Sequence, residues 1–247
     1  EHQESGGDRQ RIVGHDLQTS IDQQLGTSSS LAGGPLNTDY SITNLYLNIE
    51  NDVWSWNNWF WQNNRAGTGQ GVARALDNDG YADSTSYMSH LQYKRIIDFE
   101  RAIESNVTYH YLDNQSYFKL FPDGSLIPIG NDGNPFTSPS NPVLFENGLI
   151  GAPDHRAHKV IADVTYQYIG FENQIWRSQV GFQYTDFETS ESKNYGPGVL
   201  DGTDSPINGA LTDVTGLPYV FLDDQERHNV FFAVQNQWYF HPEWTLT

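Results

Sequence analysis

The residues best suited to holding a ligand are Trp59 and Trp61, His90 and His110, and Arg177. Indole faces stack on a sugar or an aromatic chelator. Imidazoles touch metals and metal chelates, and a guanidinium pairs with carboxylates or phosphates. His155 and His158 add two more imidazoles, close together in sequence. No histidine spacing matches a metal-ligand pair, so polar lining is the stronger reading for these rings. Asp77-Asn78-Asp79-Gly80 with Asp83 has the composition of a calcium loop, but Ala75 breaks the EF-hand spacing, and a solvated turn is expected. The chain holds no nucleophile motif and no phosphate-binding glycine loop, so neither catalysis nor a cofactor is expected.

The 247 residues carry a formal net charge of −18 and no cysteine. That charge argues against nucleic acid as a partner, which requires a cationic face, and against docking on an anionic membrane surface. The missing cysteines exclude disulfides and thiolate sites. No apolar run approaches the length of a membrane helix. The mean hydropathy of −0.60 still permits membrane strands, in which only every second residue must be apolar. Residues 1–10 are polar throughout, with no leader pattern, and Trp244-Thr-Leu-Thr247 stops within what reads as a strand. A longer parent protein is therefore expected.

These side chains need elements to position them. Residues 11–25 fit either a strand or, from Asp16, a helix with Leu17, Ile21 and Leu25 on one stripe and Gly26 as its stop. The strand is expected, because period 2 governs everything after Tyr40. Strands are expected at 41–50, 53–62, 85–96, 100–118, 158–169, 174–187 and 227–240, with another starting at Trp244. Most are ten residues or longer, against about 5–6 for soluble strands; crossing a bilayer at a tilt takes about 9–11. Connections alternate short and long. A pattern with short turns at one end and long Gly-, Asn- and Pro-rich loops at the other fits a membrane barrel, with turns in the periplasm and loops outside. The third long loop, 188–226, is strongly acidic; it would hold divalent cations or simply keep the surface hydrated.

Closing the short turns tightly sets Ile49 opposite Trp54, Tyr93 opposite Ile103, Tyr166 opposite Trp176, and Trp238 opposite Leu246. Cross-strand partners share a face, and one apolar face emerges. Away from the turns it has no charge, its polar members being Asn58, Ser89, Ser105, Ser178 and Asn236. A charge facing lipid at mid-membrane costs roughly 2–4 kcal/mol, which would enforce such a face. Trp54, Trp56, Trp238, Phe240 and Trp244 lie near the short turns, where an aromatic girdle belongs. The other face takes Trp59, Trp61, His90, His110 and Arg177 as lining. Lys94 with Glu104 and Arg177 with Asp163 are expected to pair across strands there.

The stretch from Arg227 to Thr247, an aromatic strand ending in Trp238, a turn through Pro242 and a restart at Trp244-Thr-Leu-Thr, resembles the barrel of TonB-dependent receptors. The stretch from Gln174 to Asn194-Tyr-Gly-Pro-Gly198 is similar to that family's strand and loop. The resemblance implies an all-β, antiparallel, up-and-down transmembrane barrel of 22 strands around an N-terminal plug. This chain supplies about eight strands, with 1–39 as one further strand plus loop. It also implies a Gram-negative outer membrane, lipid and TonB as partners, and uptake of a scarce nutrient such as a ferric siderophore. Two other readings fit the strands: a passive porin-like barrel, and a soluble carbohydrate-binding β-protein with exposed tryptophans.

Overall fold

The computed structural model describes residues 1–69, 75–200 and 210–247; parts of the first and third expected loops, 70–74 and 201–209, lie outside them. Twelve strands and one helix follow in the order β1 (His2–Ser5), α1 (Leu17–Leu25), β2 (Tyr40–Glu50), β3 (Trp54–Gly67), β4 (Tyr81–Ile96), β5 (Arg101–Phe121), β6 (Ser125–Gly130), β7 (Ser140–Phe145), β8 (Leu149–Tyr168), β9 (Gln174–Lys193), β10 (Thr212–Asp213), β11 (Gln225–His241) and β12 (Trp244–Leu246). One antiparallel sheet runs β1-β2-β3-β4-β5-β8-β9-β11-β12, with β10 added to β9 and β6–β7 a separate hairpin. Among the described residues no strand joins β12 back to β1, so the sheet is open.

The expected strand at 11–25 is not formed. Leu17–Leu25 is a helix because its termini are chemically closed: Asp16 accepts from the Thr19 N–H at 2.8 Å, Thr19 Oγ1 accepts from the Asp16 N–H, and Gly26 ends the helix at φ +73°. A reciprocal cap plus a left-handed glycine stop outweighs an apolar alternation only a few residues long.

The long strands alternate as expected, and the register defines two faces. One row across seven strands reads Ile49, Trp56, Leu91, Val107, Ala162, Phe182, Val230. The neighbouring row reads Asn48, Asn57, His90, Thr108, Ile161, Gln183, Asn229. Three of the four expected closures are two residues too tight. Ile49 pairs with Trp56, Tyr93 with Ser105 and Tyr166 with Ser178, while Trp238 does pair with Leu246. In the first two of these turns, side chains hold the wider form. Asn51 Oδ1 accepts from the N–H groups of both Val53 and Trp54, each at 2.8 Å. Asp98 accepts from the Glu100 N–H at 2.9 Å and holds the Arg101 guanidinium. A shift of two preserves the side-chain period, so each residue keeps its face.

Several strands extend well past their expected ends. β5 has 21 residues, and β8 and β9 have 20 each. The second long loop contains the β6–β7 hairpin. At this end the loops build the molecule's buried core: Ile127, Ile129, Val143 and Phe145 from the hairpin pack with Ile21 of α1 and with Phe121, Leu149, Tyr195 and Leu200. Burial, reinforced by nearby Glu191, pushes the Tyr195 phenol up to about 12. Asp77 is no solvated turn residue. It is buried, accepting from the N–H groups of Asp79 and Gly80 and from the Lys119 N–H at 2.8 Å, while Lys119 Nζ lies 2.8 Å from Asp123.

Candidate ligand-facing surface

The two faces of the sheet differ in what they can meet. On the apolar face, Leu47, Val180 and Phe232 remain 50%, 51% and 72% exposed. No second layer of the described residues covers them. Between Arg95 and Arg101 near the short turns and Asp113, Asp186 and Glu226 toward the loops, this face carries no Asp, Glu, Lys or Arg. Its polar atoms are partly tied down by neighbours: Tyr87 OH donates to Asn58 Oδ1, Trp56 Nε1 to Ser89 Oγ (both 2.9 Å), and Asn236 Nδ2 to Gln174 Oε1 at 3.0 Å. A hydrogen-bonded polar group costs much less in an apolar medium than a free one.

The polar face gathers four of the five expected site residues. Trp59 on β3 stands between Tyr46 of β2 and Met88 of β4. Trp61 stands between Asn44 and Ser86. His110 on β5 pairs with Met88 in register, and its Nε2 lies 3.0 Å from Ser86 Oγ. His90 on β4 lies one row away, its Nδ1 2.8 Å from Thr108 Oγ1. These side chains form one patch across β2 to β5.

Arg177 does not join them. It lies on β9 between Gln167 and Gln235, toward the short turns, and donates from Nε to Gln167 Oε1 at 3.3 Å. With Lys94, Glu104, Thr165 and Gln167 it borders a separate shallow cleft of about 330 Å³. His155 and His158 are also kept apart. His155 packs on Phe187 with centroids 5.5 Å apart, whereas His158 takes the opposite face, where Tyr109 OH lies 2.9 Å from its Nδ1. An odd spacing in a strand separates them. Among the described residues no group of three His, Asp or Glu is placed to hold a metal ion.

The expected ion pairs are replaced by amides. Gln92 Nε2 donates to Glu104 Oε1 and to Asn106 Oδ1, both at 3.2 Å. Asn106 Nδ2 and Gln179 Nε2 donate to Asp163 Oδ1 at 3.2 and 3.1 Å. Lys94 faces Glu104 in register without an ion pair between them, and Arg177 lies beside Gln167 rather than Asp163. Carboxylates satisfied by neutral donors need no cation at contact distance.

Three contributors were not apparent from sequence. Tyr46 joins the patch because β2 pairs with β3 two residues off the tight closure, which sets it opposite Trp59. Asn44 accepts from Trp59 Nε1 at 2.8 Å, and Asn57 accepts from Tyr46 OH at 2.8 Å. Their signal was parity: both asparagines share the polar face with the tryptophans. Compared with known proteins, the chain matches no family model, no curated protein and no solved structure.

Proposed function

We propose that this chain is part of the wall of an outer-membrane β-barrel, with its apolar face toward lipid and its polar face toward a lumen. In this reading the parent protein is a TonB-dependent receptor that captures a scarce nutrient at its loop end and passes it inward when TonB acts on a plug. The observation that carries the wall assignment is the uncovered, charge-free apolar face on strands long enough to cross a bilayer, backed by a hydrogen-bonded polar face. Lipid tolerates such a surface; water does not favour a contiguous apolar patch of this extent. A soluble sheet would bury the same side chains under a second layer. Loop length supports the orientation, since all four short turns lie at the end opposite the packed loops. The strands form wall and vestibule and do no covalent chemistry.

This chain has no cysteine, and with any cysteine elsewhere in the parent protein replaced by serine, labelling gives a clean test. Single variants Gln179→Cys and Val180→Cys, adjacent on β9 but on opposite faces, are made in the parent protein in a Gram-negative host. A small water-soluble maleimide is expected to label Gln179→Cys in intact membranes and to spare Val180→Cys until detergent is added. Equal labelling of both, or recovery of the protein in the aqueous fraction, defeats the barrel assignment. Uptake that continues at full rate in cells lacking TonB would make the protein a passive barrel.

A further inference from the structure

Within the barrel reading, on which this inference rests, the patch on the polar face points to a class of ligand. We infer that Tyr46, Trp59 and Trp61, flanked by Asn44 and Asn57, form a binding platform for a neutral, polyhydroxylated ligand of the oligosaccharide type.

Three observations converge on it. The first is preorganisation. Trp59 is held by a 2.8 Å bond from its Nε1 to Asn44 Oδ1, and Tyr46 by a 2.8 Å bond from its OH to Asn57 Oδ1. Both acceptors lie diagonally across the β2–β3 pair, one row toward the loops for Asn44 and one row toward the short turns for Asn57. The two rings therefore lean along the sheet in opposite directions. Rings fixed before binding lose little freedom when a ligand arrives.

The second is spacing. Trp59 and Trp61 share a face two positions apart on one strand, which separates their Cα atoms by roughly 7 Å. Two stacking surfaces at that interval suit a chain of rings better than a single compact chelate. The flat C–H face of a pyranose packs on an aromatic ring, and its hydroxyls pair with amides, which offer a donor and an acceptor together.

The third is charge. The patch holds no carboxylate, and the cation closest to it in register is Lys159, opposite His110. Arg177, the guanidinium expected to serve the site, lies across the sheet on β9. An anionic ferric chelate or a phosphorylated ligand calls for convergent Arg or Lys donors. It would also have to pass the acidic third loop, where Lys193 is the one cation between Glu188 and Glu226. An uncharged ligand meets neither obstacle.

The test uses the parent receptor purified in detergent, with tryptophan fluorescence and calorimetry as readouts. Its probes are maltohexaose, cellohexaose, chitohexaose and a ferric tris-catecholate. At least one hexaose is expected to bind, and Trp59→Ala and Trp61→Ala are each expected to weaken it by about five- to tenfold. Trp59→Phe keeps a stacking ring and is expected to retain most of the affinity, which guards against a folding artefact in the alanine variant. Binding of the ferric catecholate without any hexaose, binding of none of the probes, or hexaose binding indifferent to both tryptophans overturns the inference. The Gln179→Cys and Val180→Cys labelling is run on intact membranes from the same cells, before detergent is added. An intact labelling contrast with no sugar bound rejects the ligand class alone, whereas a lost contrast rejects the membrane wall.

Discussion

Asp16 performs two tasks with one carboxylate. Its Oδ1 caps α1 by accepting from the Thr19 N–H and from the hydroxyls of Thr19 and Ser30, and its Oδ2 accepts from the Leu76 N–H at 2.9 Å, 60 residues away in the chain. Burial acts to raise its pKa, and the four bonds outweigh burial, leaving it below the ordinary carboxylate range. Asp22 behaves alike: burial raises its pKa, and bonds from Thr27, Ser30, Gln18 and Ser29 bring it below the ordinary range. Groups with depressed folded-state pKa values contribute stability that is fully present above the unfolded value, about 3.9, and is lost as pH falls through the lower folded value. The packed loop cap is therefore expected to loosen on acidification below about pH 4 while the sheet stays paired. Hydrogen exchange at the Leu76 amide, compared between pH 3 and pH 7, reads this directly; unchanged protection would rule it out. Asp16→Ala removes a helix cap and orphans the buried Leu76 N–H, at an expected cost of about 2–4 kcal/mol to the cap. Proteolysis of α1 at neutral pH measures it.

At the scale of elements, the polar face carries two glycines covered by phenylalanine rings. A Cβ on Gly181 would meet the Phe231 ring at 2.2 Å, and one on Gly151 would meet Phe118 at 2.8 Å; each ring belongs to the residue directly across the strand pair. Glycine inside a strand forfeits packing, and an aromatic laid over it restores that packing. Gly181→Ala must displace the ring and is expected to cost about 1–3 kcal/mol. Gly181→Ala combined with Phe231→Ala should recover much of that loss, and denaturant midpoints of the folded protein check the coupling. Alternation makes the long strands legible in the sequence, because Val160 through Tyr168 and Val230 through Trp238 leave no other period. Their loop-side extensions are not legible, since Asp154, His155 and Arg156 on β8, or Glu188 through Glu191 on β9, carry no apolar alternation. There the strands run among the packed loops and are held by polar partners, as where buried Glu191 accepts from the Phe221 N–H. At the turns after β2 and β4 the register lies two residues beyond the tight closure because Asn51 and Asp98 hold wider turns through side-chain bonds, which turn length alone does not reveal. Parity places four of the five expected residues, Trp59, Trp61, His90 and His110, in one patch of the polar face. Arg177 takes the same face but lies apart from that patch, because parity fixes a face and says nothing of distance across a sheet.

For the molecule as a whole, the buried core and the extended apolar surface occupy different places. The core lies among the loops, around Ile127, Phe145 and Leu149, while the apolar side chains of the sheet stay uncovered. A protein stabilised in water would bury the larger of these surfaces first, since burial yields about 25 cal/mol per Å². Leaving it exposed is consistent with a solvent that is itself apolar, and that solvent can be tested by a charge. Val164 and Thr165 are neighbours on β8. Val164 sits on the apolar face between Ser105 and Val180, and Thr165 on the polar face between Glu104 and Gln179. In a bilayer, Val164→Lys places an ammonium against hydrocarbon and is expected to destabilise the folded protein by about 2–4 kcal/mol. Thr165→Lys lies on the polar face opposite Glu104, which the barrel reading turns toward a hydrated lumen, and should stay within about 0.5 kcal/mol of the parent. Were the sheet a soluble surface, both lysines would be exposed to water and both changes would be small. Unfolding of each variant in lipid vesicles against denaturant gives the comparison. A difference of less than about 0.5 kcal/mol between the two would remove lipid as the agent that shaped this face.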